Sequence, residues 1–233
     1  MALAIPIGIV ITLPASFVLP KATDGLHFQR IEGTVWSGQA QLKLPKQSPL
    51  PIEWHWSGGL TWTWAIESEP LVMAGLWRLS DRDRLEQIKG HVDIQYLDIA
   101  QWLVFVYPVG ELEIDVDQLA WEVNTSLEIE GRLDWRSAQL RGLINESLGD
   151  ISVEMMPSVS TPGETEFVIE STAQGAVGLS GWASTNGDSY RTTLILTPNN
   201  ERAELLRLLS PLGRRENRGI RIERSGRLGV FDE

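Results

Sequence analysis

Three histidines, His27, His55 and His91, are the side chains best suited to acid–base work or metal binding near neutral pH. No two of them stand three or four residues apart, the spacing that brings two imidazoles to one metal on a helix. His55 lies between Trp54 and Trp56, and on a strand it would point away from both. Asp and Glu number 31, but they occupy the charged phase of alternating segments, where solvation accounts for them. A working carboxylate pair stands instead among apolar neighbours that raise one pKa. Gly187-Asp188-Ser189 shares three letters with a protease serine site, yet Asn186-Gly187 before the serine reads as a hairpin turn. There is no G-x-S-x-G, G-x-G-x-x-G or P-loop pattern. Without cysteine there is no thiol nucleophile, thiolate metal site or disulfide. No residue is therefore assigned to catalysis, to a cofactor or to a metal, and the chain reads as a non-enzyme.

Composition narrows the partners. The 233 residues carry a formal net charge of −11, the wrong sign for phosphate backbones, so nucleic acid is not expected. The charge is uneven: residues 200–233 sum to +2 and the remainder to −13. A basic tail on an acidic body suits an acidic partner or lipid headgroups, while Arg–Glu pairing along Arg221, Glu223 and Arg224 is the plainer account. Ten tryptophans against three tyrosines suit half-buried pleated surfaces and wet interfaces.

From Ala2 to Leu19 no residue is charged. As a helix these 18 residues span roughly 27 Å, enough for a bilayer core, and Pro6 and Pro14 are tolerated there. The run lacks the basic n-region of a cleaved signal peptide. No Lys or Arg precedes it to mark a cytoplasmic side, which suggests a chain that starts late. The expected organisation is a transmembrane anchor over 1–19 and a periplasmic β-rich domain over 20–233.

Beyond residue 25 the recurring signal is period-two alternation, the mark of strands with one buried face. It runs through 60–66, 88–94, 112–116 and 127–135, with further candidates at 151–155, 166–171, 177–183, 190–197 and 218–230. Ser57-Gly58-Gly59 joins the 54–56 and 60–66 runs as a hairpin. In 31–44 the apolar phase switches from odd to even, and a β-bulge at Trp36-Ser37-Gly38 would allow this within one strand. Two short helices are expected, one opening at Asp98–Gln101 and one from Asn200 with Leu205, Leu208, Leu209 and Leu212 on a stripe. Glycine precedes alternating apolar residues at Gly33, Gly90, Gly131 and Gly181. The fold class is all-β, mostly antiparallel and curved, with one or two short helices after a transmembrane helix.

Leu13-Pro14-Ala15-Ser16, followed by Gly33-Thr34-Val35-Trp36-Ser37-Gly38, resembles protein N of the bacterial type II secretion system. Trp54-His55-Trp56 and Gly58-Gly59-Leu60-Thr61-Trp62 are similar to the family's Trp-rich strands. Leu205, Leu206 and Leu209, Gly213 and the Gly219–Gly226 strand are similar to its C-terminal end. The resemblance implies a single-pass inner-membrane accessory component, partnered with other secretion components, with the bulk of the chain in the periplasm. It carries over no catalytic residue. Within that reading the chain is an assembly and interaction protein held to inner-membrane lipid by its N-terminal helix. The alternative is a periplasmic lipid-handling protein with an apolar groove in a curled sheet, separated from the first by whether a second layer covers the apolar face.

Overall fold

The computed structural model describes residues 14–15, 27–43, 48–79, 83–97, 106–121, 127–142, 145–172, 175–186, 189–199, 210, 213–217 and 219–227. The strands are β1 (His27–Gly33), β2 (Ser37–Lys43), β3 (Leu50–Gly58), β4 (Thr61–Ser68), β5 (Leu71–Leu79), β6 (Asp83–Asp93) and β7 (Val106–Trp121). They continue as β8 (Leu127–Gly142), β9 (Glu146–Pro157), β10 (Thr165–Ser171), β11 (Val177–Thr185), β12 (Ser189–Pro198), β13 (Arg214–Glu216) and β14 (Gly219–Arg227). All pair antiparallel in one sheet, each strand beside its chain neighbour from β1 to β12, then β14, then β13 at the edge. A four-residue 3-10 turn, Ile94–Leu97, follows β6. Apart from 31–44, the segments expected to be strands are strands where they are described, and the all-β class holds.

The sheet is built on register. Ile66 of β4 pairs with Met73, Met73 with Gly90, Gly90 with Ile114 and Ile114 with Leu133. The row continues through Val153, Ile169, Gly181 and Leu194 to Ile222 of β14. Ten strands thus place an apolar residue or glycine on one line of one face. A parallel row two residues along runs Leu71, Val92, Leu112, Trp135, Ile151, and on the other side lies Ile88, Val116, Gly131, Met155, Phe167. The buried residues of three apolar clusters, among them Val92, Met155 and Ile220, all belong to this face. Because the side-chain period is two, a one-residue slip in any strand would turn its part of the rows to water.

An open sheet of this width has to curl. β9 comes close to β11 and β8 to β10, although another strand separates each pair. The ladder also carries bulges in β1, β5–β6, β7 and β8, where Arg30, Gln87, Gly110 and Ser137 take positive φ. Each bulge sharpens local twist and bends its strand. At one of them the extra backbone group is satisfied locally: Ser137 N donates to Asp150 Oδ1 at 2.8 Å. Gly131 lets the curl tighten. A Cβ there would stand 2.5 Å from the Val116 Cα, so Val116 and Met155 close in from either side.

Residues 31–44 differ from expectation. They form two strands, β1 and β2, and the phase change at Trp36-Ser37-Gly38 is a hairpin turn, with Gly33 opposite Gly38. The bulge lies earlier, between Gln29 and Glu32. A turn reverses the chain and so resets the phase without a kinked strand. The expected helices opening at Asp98 and Asn200 lie outside the described residues. So does the apolar run 2–19, apart from Pro14 and Ala15. Among the described residues no helix is long and apolar enough to cross a membrane.

Gly38 has a physical requirement. A Cβ on it would stand 2.5 Å from Trp54 Cζ2 and collide with the Glu32 carbonyl oxygen. Gly58 has a positive φ of 123° but nothing within 4 Å of its Cβ position. Gly38→Val should therefore cost about 2–3 kcal/mol through displaced packing, and Gly58→Ala about 1 kcal/mol from backbone strain alone. Urea unfolding of the two variants measures the difference, and equal midpoints would contradict it.

Candidate interaction surfaces

The turn between β1 and β2 is clasped by tryptophans. Thr34 N donates to Ser37 O at 2.9 Å, and Thr34 Oγ1 accepts from the amides of Trp36 and Ser37 at 3.3 Å, closing the turn. Its carbonyls then meet the next strands. Trp54 Nε1 donates to Thr34 O at 3.1 Å, Trp62 Nε1 to Val35 O at 2.8 Å, and the Trp56 amide to Trp36 O at 2.5 Å. The rings pack as well: Trp36 lies edge-on to Trp56 at 5.5 Å and nearly parallel to Trp62 at 6.2 Å, and Trp62 meets Trp77 at 5.6 Å. Trp56, Trp62 and Trp77 are consecutive cross-strand partners, so this cluster is one end of the apolar face. Pro14 bridges to Thr34, and Ala15 beside it is buried. Pro14 of the first element that carries the resemblance therefore meets Thr34 of the second.

The opposite face is charged. Lys89 pairs with Asp115 at 3.0 Å, and Arg132 with Asp134 at 2.9 Å. Arg136 reaches Glu113 at 2.9 Å, Asp134 at 3.6 Å and Asp150 at 3.7 Å. The Glu113 hydrogen bond, with these carboxylates around it, holds the Arg136 guanidinium charged above its already high pKa. Exposed pairs of this kind add little stability, but alternating signs keep the polar face wet and limit unspecific association. Within this face one apolar patch stands out: Val168 pairs with Trp182, beside Met156, and Trp182 is 48% exposed. Its rim includes Glu164, whose carboxyl lies below the usual range because the Ser184 and Thr161 hydroxyls donate to it and Arg191 is near.

The sequence-level candidates for chemistry are scattered. His27 is on edge strand β1, His55 on β3 and His91 on β6. His55 does face away from Trp54 and Trp56, and its Nε2 sits 2.6 Å from Thr63 Oγ1. His91 Nε2 lies 3.8 Å from Glu69. Ser189 donates its hydroxyl to Asn186 Oδ1 at 2.8 Å in the β11–β12 hairpin, so an amide oxygen and not a base holds its proton. Among the described residues no group of three His, Cys, Asp or Glu could hold a metal. The Met156–Val168–Trp182 patch escaped notice, although its signal was present: each of these residues is apolar in the polar phase of its strand.

The fold is thus one antiparallel sheet with an apolar face, a charged face and a tryptophan-clasped turn. The family model for type II secretion system (T2SS), protein N matches residues 24–223. The chain belongs to that family and is a component of type II protein secretion. No curated protein and no solved structure matches it.

Trp62 and Trp182 offer a test of the two faces. Trp62→Ala removes two ring contacts and the Val35 hydrogen bond, and should cost about 3 kcal/mol. Trp182→Ala removes an exposed ring on the charged face and should cost less than about 1 kcal/mol. Urea midpoints of both variants check this; a Trp182 cost as large as that of Trp62 would mean the patch is part of the core.

Proposed function

We propose that the chain is a non-enzymatic accessory component of the type II machine, held at the inner membrane by residues 1–19, with its sheet in the periplasm. The observation that carries this reading is the meeting of Pro14 with the Thr34 turn. It ties the end of the apolar run to the tryptophan end of the sheet, where indole rings suit the headgroup region of a bilayer. From that corner the sheet extends as a curved platform, presenting charged pairs on one face and strand edges to other secretion components. Such edges and faces are the usual means by which β proteins take partners. Recognition here works by steering and strand pairing, and no bond of a substrate is broken.

The apolar face supports a second reading, lipid handling. Among the described residues no second layer covers that face, and many of its side chains, Leu133, Ile169 and Leu179 among them, remain partly exposed. A curled apolar trough rising from a membrane corner suits acyl chains as well as it suits an apolar partner segment.

Two measurements test these readings. A reporter active only in the periplasm, fused after Glu233, should be active, and activity of a cytoplasm-only reporter there would overturn the topology. A photoreactive residue at Leu133 in native membranes should yield protein adducts under the assembly reading. Adducts that run as lipid-modified monomer, with none at Trp182, would favour the lipid reading.

A further inference from the structure

The charged face changes character where β9, β10 and β11 meet. Val168 and Trp182 are cross-strand partners and both are exposed, with exposed Met156 on the diagonal from Val168. The β9–β10 connection builds a wall next to this pair. Ser158 N donates to Glu164 O at 2.7 Å, Glu164 N to Thr161 O at 3.1 Å, and the Ser158 hydroxyl to Glu166 Oε1 at 2.6 Å. The Ser184 hydroxyl ties the Glu164 carboxylate to β11. These bonds hold a cleft of about 330 Å³ between the connection and Trp182, lined also by Ser160, Val168 and Arg191.

The carboxylates around the pair say what can cover it. Glu154 lies directly across from Val168, and Glu166 and Glu170 stand two residues either side of it on the same face. Elsewhere on this face acids are matched: Asp115 by Lys89, Glu113 by Arg136 and Glu223 by Arg221. Among the described residues Glu154 and Glu170, both exposed, carry no such pair. Arg132, the cross-strand neighbour of Glu154, is held by Asp134 at 2.9 Å. Among the described residues Arg191 is the one cation lining the cleft, and it lies near Glu164. Purely apolar cover would strand the unmatched charges away from water at a large cost. Anionic headgroups and the acidic body of a second copy carry the wrong sign. A guanidinium meets both demands at once, because its plane stacks on an indole while its N–H groups bind carboxylates.

We infer that this patch docks an extended, arginine-bearing segment of another protein. One guanidinium lies on the Trp182 ring within reach of Glu166 and Glu170, the diagonal neighbours of that tryptophan. The apolar side chain two residues along the segment, on the same side of it, covers Val168 and Met156. The inference rests on the assembly reading above and gives the charged face one point of recognition. It does not depend on which compartment holds the sheet.

The probe is a dye-labelled peptide of repeating Arg-Ser-Val-Ser, which puts arginine and valine on one side of an extended chain. Its anisotropy is followed as the full-length protein is added in neutral detergent. Trp182→Ala, which leaves the charge unchanged, should weaken binding roughly tenfold, and so should Glu154→Gln together with Glu170→Gln. Glu67→Gln removes an exposed carboxylate from the same face at β4 and should change affinity by less than about twofold. Citrulline for every arginine, or serine for every valine, should each weaken the peptide by roughly tenfold or more. A parental chain that does not bind would overturn the inference. So would a Trp182→Ala chain that binds as well, or an equal loss from Glu67→Gln, since either reduces binding to general attraction of a cation to an acidic surface. Self-association of the full chain that Trp182→Ala abolishes without peptide would overturn it in favour of a second copy. Failure here, with protein adducts still formed at Leu133, leaves the assembly reading standing, so the two are judged separately.

Discussion

The register of the ladder is the constraint on which the rest depends. A β-strand alternates its side chains, so one strand can own an apolar face cheaply. Aligning that face through ten strands requires every pairing to agree. The row from Ile66 to Ile222 meets this requirement with glycine at Gly90 and Gly181. The clusters around Val92, Met155 and Ile220 are local thickenings of one surface, not separate cores. Bulges do not disturb the scheme, because each adds a residue that the phase of its own strand absorbs. At Ser137 the apolar phase passes from Trp135 to Ala138, and both face inward. Curl, burial and the division into two faces all follow from that alignment.

Much of this could be read from the residues. Alternation in 112–116 and 127–135 located the centres of β7 and β8, and the Gly58-Gly59 pair located a hairpin. Tertiary order was harder. A meander and a Greek key offer the same local alternation, and only the pairings decide between them. The 31–44 segment was misassigned for a related reason. A phase change has two causes, an extra residue or a reversal, and Trp36-Ser37 is not a standard turn pair. The turn is closed locally by Thr34 and then clasped from more than fifteen residues away by the indole N–H of Trp54 and of Trp62, and Thr34 was the one local signal for it. β5 was missed as well, because Val72 and Ala74 blur its alternation.

The same comparison shows what kind of surface sequence patterns conceal. Histidines and serines attract notice because their chemistry is portable, and here they are dispersed over separate strands. Trp182, Val168 and Met156 were visible only as exceptions to the period of their own strands. Three such exceptions on neighbouring strands make a patch once β9, β10 and β11 are known to be adjacent. A lone apolar residue facing water needs no explanation; a cross-strand pair, Val168 with Trp182, and Met156 one pairing diagonal from Val168 form a local surface of their own on an otherwise charged face.

Two-faced sheets of this width face a physical problem that a sandwich does not have. A sandwich closes its apolar face against a second sheet, and a barrel closes it by joining its edges. Here the described strands do neither, so the apolar side chains are sheltered by curl and by one another. Curl alone shelters the middle of each strand better than its ends, which fits the placement of the indoles at one end and of Tyr96, held in the 3-10 turn after β6, beside Leu112 and Val92. Burial raises the Tyr96 phenol pKa above its usual value, consistent with a hydroxyl drawn away from water at that margin. Aromatic groups with one polar atom are the side chains that tolerate such a boundary, since the ring covers the apolar rows while the N–H or O–H reaches a partner. The cluster of Trp36, Trp56, Trp62 and Trp77 thus serves to keep an apolar face at the edge of a single layer.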